Sequence, residues 1–286
     1  MKINYQLIKF TIAKFFCLKG NGISILVPFY SSPSANQRTL NWNWLYEYWK
    51  FHLPGAEIIM GIDEKVNINN QPFSKACAVN YAAKRALGDI FVIADADGYI
   101  STDSVLKCAM EIRKARKKKH TLWFIPYRKF FRLNESASKK LLQTNSNNKY
   151  HEPETDEILI TKDFNGLSGS VHGHRYGALF QIMPREAFKI TGGWDERFRG
   201  WGGEDVTAMR VMDTLYGPHK TLPSSVSHIW HPFVTVENNQ KIISRIWDNQ
   251  ENYKSNGNLS NRYFRALGNV EKIKALVNEW KEIKEK

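Results

Sequence analysis

Two carboxylates follow directly on a short apolar run. Asp95 and Asp97 come after Ile90–Ala94, a run that predicts a buried strand. Carboxylate oxygens at this spacing can hold a divalent cation, one directly and the other directly or through water. Asp-x-Asp alone is weakly specific, because a solvated turn also carries it. Its position at the carboxyl edge of a predicted parallel sheet is what favours a metal site.

A glycine-rich segment carries the second candidate site. Five glycines and two tryptophans lie between Gly192 and Asp205, a composition typical of a backbone that turns tightly beside flat aromatic surfaces suited to a sugar ring. Glu204 and Asp205 then begin a predicted helix that continues over Val206–Leu215. Carboxylates in a first helical turn complement the helix dipole, and one placed there can also act as a general base toward a substrate hydroxyl.

Two histidines three residues apart form the third candidate. His228 and His231 follow a predicted strand at Ser224–Ser227. Both imidazoles can reach one metal ion if the turn curls, and neutral imidazole suits Mn²⁺ better than Mg²⁺. An ordinary core histidine is the alternative for at least one of them. His172 and His174, in a polar segment, are weaker candidates for contacts to a donor or acceptor substrate.

The elements that must position these residues alternate between strands and helices. Strands are predicted at Ile23–Phe29, Glu57–Ile62 and Ile90–Ala94, and the intervening helices at Ala35–Leu53 and Pro72–Leu87. This β-α-β-α-β order predicts an α/β fold with a parallel sheet, right-handed crossovers and a ligand site beyond the carboxyl ends of the strands. The apolar stripe of the first helix is expected in the core: Leu40, Trp44, Leu45, Tyr48 and Trp49.

The remaining elements are a helix capped by Ser101 or Thr102, a strand at Thr121–Pro126, and a long polar segment from Leu133 to Gly173. That segment contains one short helical patch at Ser136–Leu142 and is predicted to be a lid or binding loop. A last helix at Asn269–Lys286 is expected to dock on the protein by one apolar face: Val270, Ile273, Leu276, Val277, Trp280 and Ile283.

Composition bounds the class of protein. The 286 residues are 42% hydrophobic and 24% charged, which excludes disordered and collagen-like chains. Three cysteines without a CxxC motif support neither a disulfide framework nor a cysteine zinc site and fit a reducing, cytoplasmic setting. No signal peptide or membrane-spanning run is predicted, so a peripheral membrane contact is the most that is expected. The net charge of +13 favours anionic partners.

These motifs together resemble a known family. Val27–Phe29, Asp63, Lys75–Asn80 and Asp95-Ala-Asp97 are similar to the GT-A fold glycosyltransferases of family 2. Gly200-Trp-Gly-Gly-Glu-Asp205 resembles the carboxyl half of the β-1,4-galactosyltransferase type, found also in chondroitin-polymerase-like enzymes. The resemblance covers about residues 22–235, and Trp-Gly-Gly-Glu-Asp is its specific part.

The resemblance implies a role for each matching residue, with Mn²⁺ as the expected cofactor and Mg²⁺ as the alternative. The nucleotide of a UDP-sugar would be bordered by Pro28, Phe29 and Asp63, with Lys75 and Asp95 nearby, and the donor sugar by Tyr176, Gly177 and Ala178. Metal ligands would be Asp97, His228 or His231, and Asp95. Asp205 would be the catalytic base, and Glu204 an acceptor ligand beside Trp201, Gly202 and Gly203.

The implied organisation is one GT-A domain over residues 22–235, between an N-terminal extension of residues 1–21 and a helical extension of residues 236–286. Residues 22–127 would bind the nucleotide sugar, and residues 128–235 would bind the acceptor. The resemblance implies an inverting transfer of a hexose or N-acetylhexosamine to a hydroxyl of a glycan.

Three alternatives remain open at this point. A metal-dependent nucleotidyltransferase would share the sheet and the paired aspartates. A non-catalytic module that binds glycan or nucleic acid would use the aromatic residues and the positive charge alone. A glycosyltransferase acting on hydroxymethylated bases of DNA would use the same Asp205. The basic run Arg113–Lys119, with Arg128, Lys129 and Arg132 beyond the next strand, motivates this acceptor as well as an acidic glycan.

Overall fold

The computed structural model describes residues 21–30, 36–66, 72–163, 179–200, 202–232 and 250–285. The strands are β1 (Ile23–Pro28), β2 (Glu57–Gly61), β3 (Ile90–Ala94), β4 (Gly98–Ile100), β5 (Phe124–Ile125), β6 (Lys129–Leu133), β7 (Ile158–Asp163), β8 (Phe180–Pro184), β9 (Lys220–Thr221) and β10 (Ser225–His228). The helices are α1 (Asn36–His52), α2 (Lys75–Arg85), α3 (Thr102–Lys117), α4 (Glu135–Gln143), α5 (Arg185–Ile190), α6 (Glu204–Leu215), α7 (Gln250–Ala266) and α8 (Val270–Glu285).

The larger sheet has six strands in the order β2-β1-β3-β8-β5-β9. β1 pairs in parallel with β2 and with β3, so the predicted β-α-β-α-β unit is confirmed. β8 then runs antiparallel to β3, and β5 antiparallel to β8. Every residue of β1 and of β3 is buried, as expected for central strands covered on both faces. The carboxyl ends of β1 and β3 therefore open at one edge of the sheet.

A second sheet of four strands, in the order β4-β10-β6-β7, lies beyond that edge. It overturns part of the prediction of a long polar loop, because β7 pairs antiparallel with β6. The helical patch was predicted correctly and is α4. β7 escaped prediction because it is an edge strand with largely exposed residues, so its sequence lacks the alternation of a half-buried strand. Residues 164–173 of the predicted loop lie outside the described residues.

The aromatic face of α1 packs in the core, as predicted, except at its first position. Trp44, Leu45, Tyr48 and Trp49 are at most 9% exposed, whereas Leu40 is 47% exposed. Five residues separate Leu40 from Leu45, which at about 100° per residue places Leu40 about 140° away on the solvent side of the helix. Predicting Leu40 as a core residue was therefore wrong.

The last helix docks on the protein, as predicted, through the middle of its apolar face. Ile273, Leu276, Val277 and Trp280 are buried, and the first three join a small core with Phe198, Val211 and residues of α7. The ends of the predicted face are wrong, since Val270 and Ile283 are exposed. The strand predicted at Thr121–Pro126 pairs only over its central residues, as β5.

The basic run at the end of α3 divides into paired arginines and exposed lysines. Arg113 and Arg116 form ion pairs with Asp89, and Arg116 also pairs with Glu186. Lys114 and Lys117–Lys119 are exposed. None of the helices among the described residues is long and apolar enough to cross a membrane. The predicted domain limits stay a prediction.

Candidate active site

The end of β3 and the pairing of β4 with β10 bring three metal-ligating side chains together. Asp97 precedes β4, whose Gly98 lies opposite His228 in the antiparallel register, and the Ile229 amide donates to the Asp97 carbonyl at 2.8 Å. Ligand atoms of Asp97, His228 and His231 all lie within 4.8 Å of one another. Nε2 of His231 is 3.2 Å and Nε2 of His228 is 3.7 Å from a carboxylate oxygen of Asp97. These three residues are called the metal triad below.

The protonation states of the metal triad suit a cation. Burial would raise the pKa of Asp97, but the charges and hydrogen bonds of His228, His231 and Arg38 outweigh it and hold that pKa well below its usual range. Burial lowers the pKa of His228 to about 4, so its imidazole is neutral at neutral pH. The triad therefore offers an ionised carboxylate and at least one neutral imidazole.

The donor set fits a divalent transition metal such as Mn²⁺. Nδ1 of His231 lies 2.8 Å from the Pro232 carbonyl, and a proton on Nδ1 that donates to this oxygen leaves the Nε2 lone pair for a metal. Nδ1 of His228 is buried and finds no partner among the described residues. One carboxylate and two imidazoles leave coordination positions for phosphate oxygens and water. Asp95, predicted as a further ligand, is not part of this triad.

A second cluster lies around Lys75, the first residue of α2. Its ammonium is 2.6 Å from an oxygen of Asp95 and 2.7 Å from an oxygen of Asp205. It also lies 5.7 Å from the ring centre of Trp194. One lysine from α2 thus joins the carboxylate after β3 to the carboxylate of α6. These three residues and Glu204 are called the carboxylate cluster below.

The carboxylate cluster contains three carboxyl groups and one ammonium group. Burial, with the like charges of Glu204 and Asp95, raises the pKa of Asp205 to about 8 in spite of the Lys75 ammonium. Burial also raises the pKa values of Asp95 and Glu204. For Lys75, burial is outweighed by the surrounding carboxylates, which raise its pKa above the ordinary value. The lysine stays charged, and Asp205 can exchange a proton near neutral pH.

Left-handed backbone fixes where α6 begins. Gly203 precedes the helix with φ of 92°, and a Cβ there would lie 3.2 Å from Phe198 and from Ser260. An L side chain would be strained at this φ. The Glu204 carboxylate accepts from the Gly202 amide at 3.0 Å, and Gln181 donates to the Asp205 carbonyl at 3.1 Å. The turn and β8 together hold the first residues of α6 at the sheet edge.

Buried polar contacts hold the rest of the glycine-rich segment. Asp63, predicted to border the nucleotide base, is buried and accepts from Arg199 at 3.0 Å and from the Ser74 amide at 2.9 Å. Asn80 of α2 donates to the Trp194 carbonyl at 2.7 Å and accepts from its amide at 2.9 Å. Asp63 therefore anchors the segment to the start of α2, and its contact with a nucleotide stays a prediction.

The other predicted site residues fall into two groups. Pro28 and Phe29 lie at the carboxyl end of β1, where the Phe29 amide donates to the Gly61 carbonyl at 3.0 Å. The remaining residues lie outside the described residues: His172, His174, Tyr176, Gly177, Ala178 and Trp201. Their predicted roles are untested.

Two arginines lie beside the metal triad: Arg38 was not predicted to take part in any site, and Arg132 was predicted only as one of the basic residues that favour an anionic acceptor. Nη2 of Arg38, in the first turn of α1, lies 3.2 Å from Nε2 of His231. Arg132 of β6 pairs in register with His228 of β10, so the two side chains share a face of the second sheet. Nε of each arginine is buried and finds no hydrogen-bond partner among the described residues. Arg132 could be placed beside His228 only by knowing that β6 pairs with β10, and β6 was not predicted.

Fold and site together define a class of protein. A parallel αβ unit with one aspartate and two histidines grouped at its carboxyl edge, and a carboxylate cluster on a glycine-rich turn, is the arrangement of a GT-A fold. A family model described as "Glycosyltransferase like family 2" matches residues 58–231. The chain belongs to this family and is a glycosyltransferase, which excludes the nucleotidyltransferase and non-catalytic alternatives.

Three solved structures illustrate the similarity. The catalytic domain of Drosophila β1,4-galactosyltransferase 7, in complex with xylobiose, is 14% identical, with 73% of this chain and 70% of that chain covered and a TM-score of 0.40. GalNAc-T7 with UDP, GalNAc and Mn²⁺ is 17% identical, with 90% and 48% covered and a TM-score of 0.42. TarS of S. aureus is 13% identical, with 85% and 42% covered and a TM-score of 0.42.

The chain thus spans about half or less of the length of GalNAc-T7 and of TarS. Comparison with curated protein sequences gives no match. Similarity at these identities and TM-scores carries no statement about donor or acceptor.

Proposed function

We propose that the protein transfers a hexose or N-acetylhexosamine from a UDP-sugar to a hydroxyl of a glycan, with a divalent metal and with inversion at the anomeric carbon. One observation carries the proposal. Asp97 of the metal triad and Asp95 of the carboxylate cluster are two residues apart, directly after strand β3. A site for a diphosphate and a site for a proton acceptor are thereby held at a fixed separation.

The metal triad supports the donor side of the reaction. A bound Mn²⁺ would supply charge that stabilises the departing diphosphate. Arg38 and Arg132 add two permanent positive charges beside the single carboxylate of Asp97, and their buried Nε groups provide N–H donors that phosphate oxygens can accept from. Asp63, Pro28, Phe29 and the segment Tyr176–Ala178 complete the proposed donor site.

The carboxylate cluster supports the acceptor side. Asp205 would take the proton of an acceptor hydroxyl while that oxygen bonds to the anomeric carbon. The bond from this carbon to the phosphate oxygen breaks on the opposite side, and its electron pair leaves with UDP, so the configuration inverts. Lys75 holds Asp205 in place before the acceptor arrives. Glu204, Gly202, Gly203 and Trp201 are proposed to contact the acceptor.

A glycan is proposed as the acceptor because the motifs resemble those of glycan-building transferases, whereas DNA was motivated by positive charge alone. The basic run that motivated DNA has its two arginines engaged with Asp89 and Glu186, which leaves lysines on a solvated helix end. The DNA alternative, a peripheral membrane contact and the cytoplasmic location stay predictions without further support.

Release of free nucleotide from a donor panel tests the proposed function directly. With Mn²⁺, UDP-hexoses or UDP-N-acetylhexosamines are expected to release UDP above the rate without protein, and GDP-sugars and CMP-sugars are not. Added EDTA should remove the release, because the diphosphate then lacks its counter-charge. Release from a GDP-sugar or CMP-sugar alone, or release unaffected by EDTA, would contradict the proposal.

Replacing the two arginines tests the diphosphate site. Arg132→Gln and Arg38→Gln are each expected to weaken binding of UDP with Mn²⁺ by about tenfold or more, the scale of a lost charge-assisted hydrogen bond. Binding of uridine, which has no phosphate, should be unchanged. Arg265→Gln, at an exposed arginine of α7, is the matched control. Calorimetry decides, and equal losses for UDP and uridine would show that the arginines only support the fold.

A further inference from the structure

A cavity of about 720 Å³ lies away from the two catalytic clusters, between α2, α5 and α8. It is called the rear cavity below. Its walls include Lys84 near the end of α2, Arg185 and Lys189 of α5, and Lys281 of α8. Lys84 is nine residues from Lys75, so the helix separates this part of the cavity from the carboxylate cluster by about 14 Å. No residue that lines the rear cavity belongs to the metal triad or to the carboxylate cluster, so it is a distinct site.

The rim of the rear cavity carries unpaired positive charge. Lys84, Lys189 and Lys281 have no ion pair within the described part of the chain, and no acidic residue is among those that line the cavity. Arg185 is fixed differently, since it donates to the carbonyls of Gly88 and Ala86. Four cations around one concave space, with no carboxylate lining it, create a positive potential that attracts an anion.

Close packing holds one of these lysines in place. Gly192 has φ of 79°, and a Cβ there would lie 2.5 Å from Nζ of Lys281 and 2.9 Å from a methyl of Val277. The lysine stem therefore lies against the glycine turn, and its ammonium stays at the cavity. The position requires glycine both for its backbone conformation and for this close approach.

The floor of the rear cavity is apolar and aromatic. Phe91 and Phe188 meet edge to face with ring centres 5.6 Å apart, and Trp280 and Ala83 add to the same surface. Apolar and aromatic side chains with a few charged groups at the rim are the usual lining of a small-molecule site of this volume. Arg185 lies over the Phe91 ring, 5.4 Å from its centre, so the C–H groups of a pyranose ring would meet the edges of Phe188 and Trp280. An acidic substituent would reach the lysines.

We propose that the rear cavity binds an anionic saccharide, a sugar segment that carries carboxylate or phosphate groups, at a site separate from the catalytic centre. The source is either a remote part of the acceptor chain or a free acidic oligosaccharide. The inference uses neither the metal nor the donor of the proposed function. An inactive protein can still bind at this cavity, and an active one can fail to.

Calorimetry with tetragalacturonate, which carries four carboxylates, tests the proposal on the full-length protein at low salt. The triple variant Lys84→Gln, Lys189→Gln, Lys281→Gln is expected to bind this probe about tenfold more weakly than the wild type. The matched control is Lys114→Gln, Lys117→Gln, Lys118→Gln, which removes the same charge from the exposed end of α3 and should bind like the wild type. Neutral maltotetraose should not bind at the cavity.

Each other outcome overturns the proposal. Absence of wild-type binding at low salt removes the site, and equal losses in the two triple variants reduce it to an effect of net charge. Tripolyphosphate is the probe for charge without a sugar ring. If it binds as tightly as tetragalacturonate and depends on the same lysines, the cavity is an inorganic-anion site and the saccharide assignment fails. The two sources are distinguished by incubating tetragalacturonate with the protein, Mn²⁺ and a UDP-sugar. If the bound tetragalacturonate is glycosylated, the cavity holds part of the acceptor chain. If it binds without being glycosylated, the cavity holds a free oligosaccharide.

Discussion

Asp205→Asn is expected to lower kcat by about 10²-fold or more while UDP binds with Mn²⁺ as in the wild type. The amide keeps the size of the side chain and removes the proton acceptor. The proposed donor contacts lie at the metal triad, which does not include Asp205, so they should survive. Single-turnover rates and calorimetry measure the two effects separately.

The matched control is Asp103→Asn, since Asp103 is also a carboxylate in the first turn of a helix, α3, but is exposed. It should leave kcat unchanged. Near-normal turnover of Asp205→Asn would exclude Asp205 as the base. The anomeric coupling constant of the product in proton NMR checks inversion, and a product that retains the α configuration of its donor would contradict the in-line mechanism.

The pH dependence of the wild type should carry the signature of Asp205. Its pKa is raised to about 8 by burial and by the like charges of Glu204 and Asp95. A base acts only when deprotonated, so kcat/KM should rise with pH and level off above about 8. Lys75→Met removes the ammonium that favours the ionised carboxylate, so its rising limb should move to higher pH. A profile without a rising limb between about pH 6 and 9 would contradict this expectation.

Features set by local sequence could be predicted, and the site's first carboxylates are among them. Asp95 and Asp97 were placed correctly because a buried apolar run determines the strand before them, and the parallel register then determines the edge at which they lie. The start of α6 at Glu204 followed from the glycines ahead of it. In both places, the residues that determine the structure lie within a few positions of the carboxylates that it places.

Features set by contacts between distant segments could not be predicted. Arg38 meets His231 across 193 positions of the chain, and Arg132 reaches the site only because an unpredicted strand pairs with β10. The Lys75 ammonium that joins Asp95 to Asp205 depends on the packing of three separate elements. Asp63 was named from its motif, but its partner Arg199 lies 136 residues away along the chain. Such pairs have no periodicity in the sequence.

Asp97→Asn is expected to abolish the contribution of Mn²⁺ to UDP binding. The carboxylate is the one anionic ligand of the metal triad, and an amide oxygen is a much weaker ligand for a divalent cation. Replacement of residues that merely support a ligand commonly costs 10- to 100-fold in metal affinity, so loss of the ligand itself should cost about 10²-fold or more. Calorimetric titration of UDP with Mn²⁺ present measures this loss.

Because Asp97 is buried against two imidazoles and Arg38, its replacement also perturbs the fold, and the measurement must separate the two effects. Titration of UDP in EDTA does so: without metal the variant should bind UDP at least as tightly as the wild type, because it lacks the carboxylate that repels the diphosphate, whereas a misfolded variant would bind less. His228→Gln and His231→Gln should each give a smaller loss that appears only with Mn²⁺. If only one of them does, the other is a core histidine. Unchanged affinity of Asp97→Asn with Mn²⁺ would remove the metal from this triad, and the two arginines would then be left as the only counter-charge identified for the diphosphate.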